Sequence, residues 1–200
     1  PDLLSRKIVE KSPRFRFIGL WDVVGAFGVG AIAFDLPLTN IGHKLRLPKE
    51  NIGYCFHAMA LDEVRTSFNV IRVKGAHEVW FRGVHADIGG GNDNRGLNDI
   101  SMRWMMRKAK GTGLPITGAQ IAALAPDPNA APKLHDLPDL WRPFFPADVV
   151  HYTVKSEARC RQTPAGCSVE SEADELVAQA VGAGGLEADA PLPKAAQTGQ

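Results

Sequence analysis

Apolar residues in this chain gather into short dense runs, each of which stops at a polar residue. Arg14-Phe15-Arg16-Phe17-Ile18-Gly19-Leu20-Trp21, behind Ser12-Pro13, has the length and composition of a buried strand, and it ends abruptly at Asp22. From Pro48 onward the apolar positions Ile52, Cys55, Phe56, Met59 and Ala60 fall at the i, i+3, i+4, i+7 spacing of one helical face. That spacing predicts a helix of about three turns, with Pro48 suited to the first turn. His77-Glu78-Val79-Trp80-Phe81-Arg82-Gly83-Val84 predicts a second strand, left at His85-Ala86-Asp87-Ile88 and then Gly89-Gly90-Gly91. Asn98 or Asp99 caps a further helix, Ile100 to Lys110, whose basic last turn suits the helix dipole and which stops at Gly111-Thr112-Gly113. Strand, helix, strand, helix predicts an α/β fold with parallel strands and crossover helices. Ligands of such sheets bind beyond the carboxyl ends of the strands, where Asp22 and His85 both fall.

Composition narrows the picture. The 200 residues are 44% hydrophobic and 22% charged, a globular mixture. Lys and Arg number 23 against 22 Asp and Glu, so a net charge of +1 provides no strong field to gather nucleic acid. The apolar stretch Val23 to Phe34 is broken by glycines and is shorter than the 18 or so residues of a spanning helix. Pro1 to Pro13 lacks the continuous apolar core of a signal peptide, so synthesis in the cytoplasm is expected. Cys55, Cys160 and Cys167 suit neither a disulfide framework nor a CxxC zinc knuckle. Ser168 to Gln200 holds six acids against one base, Lys194, is rich in Ala and Gly and has no aromatic residue. Residues 161–200 are therefore expected to form an acidic, mostly disordered tail behind an ordered portion at 1–160, with a short helix allowed near Ser171 to Val181.

An Asp after one strand and a His after the next can form the acid–base pair of a serine hydrolase, in which the carboxylate orients the imidazole and the imidazole deprotonates the serine. The same residues read separately are a turn-capping Asp and a loop His. A different chemistry takes Asp22, His85, Asp87 and Asp93 as ligands of a metal-dependent phosphohydrolase. Asp87, before three glycines, also suits turn formation. Gly25-Ala26-Phe27-Gly28-Val29-Gly30 has GxxGxG spacing rather than the GxGxxG of a dinucleotide loop, and Asn92-Asp93-Asn94-Arg95-Gly96 lacks the ligand positions of an EF-hand. No cofactor is implied. His57 lies off the apolar stripe of its predicted helix, and Asp62, Glu63 and Arg65 close it, which suits capping and salt-bridge roles. Leu140-Trp141-Arg142-Pro143-Phe144-Phe145 is an apolar island in a Pro-rich and Ala-rich stretch, either an acyl-chain contact or a loop packed on the body of the domain.

Three blocks carry a family resemblance: Phe17-Ile18-Gly19-Leu20-Trp21-Asp22-Val23-Val24-Gly25-Ala26, His57-Ala58-Met59-Ala60-Leu61-Asp62-Glu63, and Val79-Trp80-Phe81-Arg82-Gly83-Val84-His85-Ala86-Asp87-Ile88-Gly89-Gly90-Gly91. Continued by Asp99-Ile100 and Arg103-Trp104-Met105, they resemble the uncharacterised α/β-hydrolase domain family, which includes phospholipase effectors of the bacterial type VI secretion system. Val23 stands where that family commonly has Thr, and Asn92 where it has an aromatic residue. The resemblance implies a serine-dependent hydrolase of carboxylic esters, with Asp22 as triad acid and His85 as triad base. It implies a lipid or small ester substrate, transient membrane contact, a secretion or immunity partner, and export by the secretion system. None of the seven serines lies in the Gly-x-Ser-x-Gly elbow that carries the family's nucleophile; Gly166-Cys167-Ser168-Val169-Glu170 has only the first glycine. The chain is accordingly expected to be the C-terminal part of an α/β-hydrolase domain, inactive alone, or a non-catalytic remnant or interaction module of that fold.

Overall fold

The computed structural model of the chain describes residues 14–25, 51–93, 95–136, 141–154 and 166–173. Five strands are present: β1 (Phe15–Trp21), β2 (Ile52–Ala60), β3 (His77–Phe81), β4 (Val149–His151) and β5 (Ser168–Glu170). They form one sheet in the order β1-β2-β3-β4-β5, and every neighbouring pair is parallel. The described helices are α1 (His85–Gly89), α2 (Arg95–Gly111) and α3 (Gly118–Ala122), with a 3-10 turn at Thr66–Phe68. The fold is α/β, with all described strands delivering their carboxyl ends to one edge.

The helix expected from Pro48 is instead the interior strand β2. All nine of its residues are buried, because a parallel strand inside a sheet is covered on both faces. Tyr54, Phe56, Ala58 and Ala60 pack into the cluster that includes Ile100, Trp104 and Met105 of α2. Cys55 and Met59, on the opposite face, join clusters that include Val73 and Val70. The spacing that imitated a helical stripe is the union of two strand faces, both apolar. Each large side chain buried this way stabilises the fold by roughly 2 kcal/mol. Pro48 itself, with the glycine-rich run from Ala26 to Gly30, lies outside the described residues.

Helix α2 follows its sequence signals at the end but starts earlier, at Arg95. Asn98 and Asp99 lie within it and bond elsewhere: Asn98 donates to the Ile88 carbonyl, and Asp99 accepts from the Ala125 amide. Its packed face carries Leu97, Ile100, Trp104, Met105 and Lys108, whereas Met102 and Met106 are only half-buried. Contact with β1 is close enough that a Cβ on Gly19 would come within 2.9 Å of Met105 Sδ.

Strand β5 lies within the stretch 161–200 that composition assigns to a tail. It pairs with β4, and Glu170 is buried. One Glu170 oxygen accepts from Lys108 Nζ at 2.6 Å and Trp104 Nε1 at 2.9 Å, and the other meets His77 Nε2 at 2.6 Å. Partners 62 or more residues away in sequence make this carboxylate part of the core, and local composition carries no trace of them. Residues 174–200, including most of the helix considered near Ser171 to Val181, lie outside the described residues.

Of the apolar island, Leu140 lies outside the described residues, the Phe144 ring packs 6.0 Å from that of Trp80, and Phe145 stays half-exposed. No described helix is long and apolar enough to cross a membrane.

Candidate active site

The site forms where β1, β2 and β3 end. Asp22 is the first residue beyond β1, and its amide continues the ladder by donating to the Ala58 carbonyl at 2.7 Å. Its backbone then turns into the left-handed region, with φ of 42°, the only non-glycine among the described residues to do so. That conformation costs an L-residue roughly 1–2 kcal/mol, least for Asp and Asn, and it swings the carboxylate back over the end of β2. There Asp22 is fully buried, and Oδ1 accepts from the Ala60 amide at 2.8 Å.

His57 of β2 fixes the next residue. Its Nε2 accepts from the Val23 amide at 3.1 Å, and an amide can only donate, so the ring proton is on Nδ1, which faces Glu78 Oε1 at 3.1 Å. His57 thus donates a hydrogen bond to an acid, Glu78, from a buried strand position, rather than taking the capping or salt-bridge role expected on a helix.

His85 opens α1 directly after β3. The turn before it depends on Gly83, whose φ is 117° and where a Cβ would meet Asp87 Cβ at 2.7 Å. Gly83 donates its amide to Asp62 Oδ2 at 2.6 Å, tying the end of β3 to the end of β2. The His85 amide donates to Glu63 Oε2 at 3.2 Å, and the Phe68 ring stands edge-on to the imidazole at 5.0 Å. Asp62, Glu63 and Arg65, expected to cap a helix, instead form a loop in which Glu63 pairs with Arg65.

Asp22 and His85 meet across the intervening strand: His85 Nδ1 lies 2.8 Å from Asp22 Oδ2. Arg142 adds a forked contact, with Nη1 on Oδ1 at 2.6 Å and Nη2 on Oδ2 at 2.9 Å. Burial alone would push the Asp22 pKa up, but the hydrogen bonds from His85 and Arg142, the Arg142 charge and the Ala60 amide outweigh it and hold the carboxyl below its ordinary value. An ionised carboxylate only accepts, so Nδ1 of His85 is the donor to Oδ2. Among the described residues nothing is hydrogen-bonded to Nε2, and the side chain is 31% exposed.

The other proposed ligands do not converge on this pair. Asp87 is buried and accepts from the Val84 and Lys133 amides and from Asn92 Nδ2, the loop-forming role its glycine-rich context suggested. Asp93 is exposed beside Lys133. Among the described residues no group of three or more His, Cys, Asp or Glu side chains is placed to hold a metal ion. The metal-ligand set of Asp22, His85, Asp87 and Asp93 is thus not assembled, because the Asp22 oxygens are committed to Arg142, His85 and Ala60.

Arg142 and Phe68 were missed in the sequence. The one local signal for Arg142 was a single cation set among Trp141, Pro143, Phe144 and Phe145, an unfavourable place for a charge unless a buried partner awaits it.

Comparison with known proteins adds the family. Neither the curated proteins nor the solved structures contain a match. Residues 3–108, which include both Asp22 and His85, match the catalytic domain of the Tle1-like phospholipase effectors of the type VI secretion system (T6SS). The match takes in more than half of the 200 residues, and the chain belongs to that family.

Proposed function

We propose that this chain supplies the acid–base pair of a serine-type hydrolase that cleaves carboxylic esters, with phospholipid acyl esters as the substrate class that its family suggests. The observation that carries the reading is the buried, ionised Asp22 bonded at 2.8 Å to Nδ1 of an imidazole whose side chain is 31% exposed. In this reading Nε2 of His85 takes the proton of a serine hydroxyl as its oxygen attacks the ester carbonyl. Asp22 stabilises the resulting imidazolium. The imidazolium then protonates the departing alcohol, and water, deprotonated by the same nitrogen, releases the fatty acid and regenerates the serine. No Gly-x-Ser-x-Gly elbow occurs in these 200 residues, so the nucleophile is assigned to chain outside them. Family membership also supports an effector role, with export by the secretion system, contact with a lipid surface and an immunity partner.

The test is hydrolysis of a nitrophenyl ester and of phospholipid vesicles by the whole natural protein that contains this chain, beside its His85→Ala variant and the 200-residue chain. Activity that falls by about 1,000-fold or more in the variant is expected. Activity that survives His85→Ala, or that the 200-residue chain shows alone, overturns the assignment.

A further inference from the structure

The cluster at the end of β1 holds more hydrogen-bonding than an acid–base pair needs, and the excess comes from one residue. We infer that Arg142 is a positioning residue of this site, locking the Asp22 carboxylate in the single orientation that presents Oδ2 to His85. The inference rests on the acid–base reading of Asp22 and His85 given above.

Arg142 is 2% exposed and lies outside the residues that the family match covers. Its fork does three things at once. It contacts both Asp22 oxygens, donates from Nη1 to the Ala60 carbonyl at 2.8 Å, and donates from Nη2 to the Phe68 carbonyl. Each carboxylate oxygen therefore has two donors, Ala60 N and Arg142 on Oδ1, His85 and Arg142 on Oδ2. A carboxylate held through both oxygens cannot rotate about its Cβ–Cγ bond without breaking several charge-assisted bonds together. Orientation of Asp22 is what fixes the imidazole, because Oδ2 is its partner. The contact with Phe68 holds the second constraint on the same ring, since Phe68 stands edge-on to His85. Arg142 thus joins both supports of the imidazole. Lys could keep the charge but not the planar fork.

Three variants of the whole natural protein, Arg142→Lys, Arg142→Gln and Asp22→Asn, test this by ester hydrolysis, with the Nδ1–H proton resonance of His85 followed in the 200-residue chain. A loosened imidazole lowers the rate of a bound substrate rather than its binding. In Arg142→Lys, kcat is expected to fall about 10- to 100-fold with KM changed by less than about twofold. The Nδ1–H resonance is expected to broaden in Arg142→Lys and more so in Arg142→Gln. A folded Arg142→Lys protein with kcat within about twofold of the natural one, or with an unchanged Nδ1–H resonance, overturns the inference. So does failure of both Arg142 variants to fold, which makes Arg142 a folding residue only. Full activity in Asp22→Asn instead removes the acid–base reading itself, and the two failures are thereby told apart.

Discussion

Replacing Glu170 by Gln keeps the size of a buried side chain and removes its charge, which leaves the fully buried Lys108 facing a neutral amide. Burial by itself would raise the Glu170 pKa, but its hydrogen bond and charge interaction with His77 and the bonds from Lys108 and Trp104 bring it down from 4.5 to about 2. A carboxyl whose pKa is depressed in the folded state contributes stability that is fully present above the unfolded value and is lost as the pH falls toward the folded value. Here the window runs from about pH 4.5 down to about pH 2, and at about 1.4 kcal/mol per unit the contribution is about 3 kcal/mol. Breaking a buried ion pair from one side independently costs about 3–5 kcal/mol. Urea unfolding of the natural chain and of Glu170→Gln, followed by tryptophan fluorescence across that window, measures the difference. Asp22, Glu63, Glu78 and Asp148 are also depressed, but they are present in both chains and drop out of it. A deficit of about 3 kcal/mol at neutral pH that shrinks to nothing near pH 2 is expected. A deficit below about 1 kcal/mol, or one that does not change with pH, refutes the reasoning. Ending the chain before β5 removes the same carboxylate, so that truncation should destabilise at least as much, which a dispensable tail would not.

Other expectations follow from the site and the core. Gly83→Ala, forced to φ of 117° with its Cβ 2.7 Å from that of Asp87, should cost at least about 2 kcal/mol of stability in urea unfolding. Phe68→Ala removes the ring that stands 5.0 Å from His85 and should lower kcat of the whole natural protein about tenfold with little change in KM, as read from ester hydrolysis. Cys55, fully buried and with its thiol pushed up to about 12 by burial and the nearby Glu78 charge, should resist alkylation in the folded chain and react only in urea, as mapped by mass spectrometry.

Local pattern and motif carried a good deal. The runs ending at Asp22 and His85 are strands or strand exits because dense apolar segments can only be buried, and a polar residue after them marks the edge where they stop. Helix α2 was legible to its last turn, since its basic end and the glycines behind it are local signals. The α/β class and the family followed from the same segments. Spacing does not separate one helical stripe from two buried strand faces, and the neighbours β1 and β3 that make β2 a strand are not written in its own segment.

Tertiary structure decided whatever depends on partners distant in the chain. Asp22 and His85 stand 63 residues apart, and it is the order of β1, β2 and β3 in the sheet that brings Nδ1 and Oδ2 to 2.8 Å. Arg142 reaches Asp22 across 120 residues, and Glu170 reaches Lys108 from what looked like a tail. A buried charge is tolerated only when its partner arrives with matching geometry, and that geometry is made by the packed sheet rather than written beside the residue in the sequence.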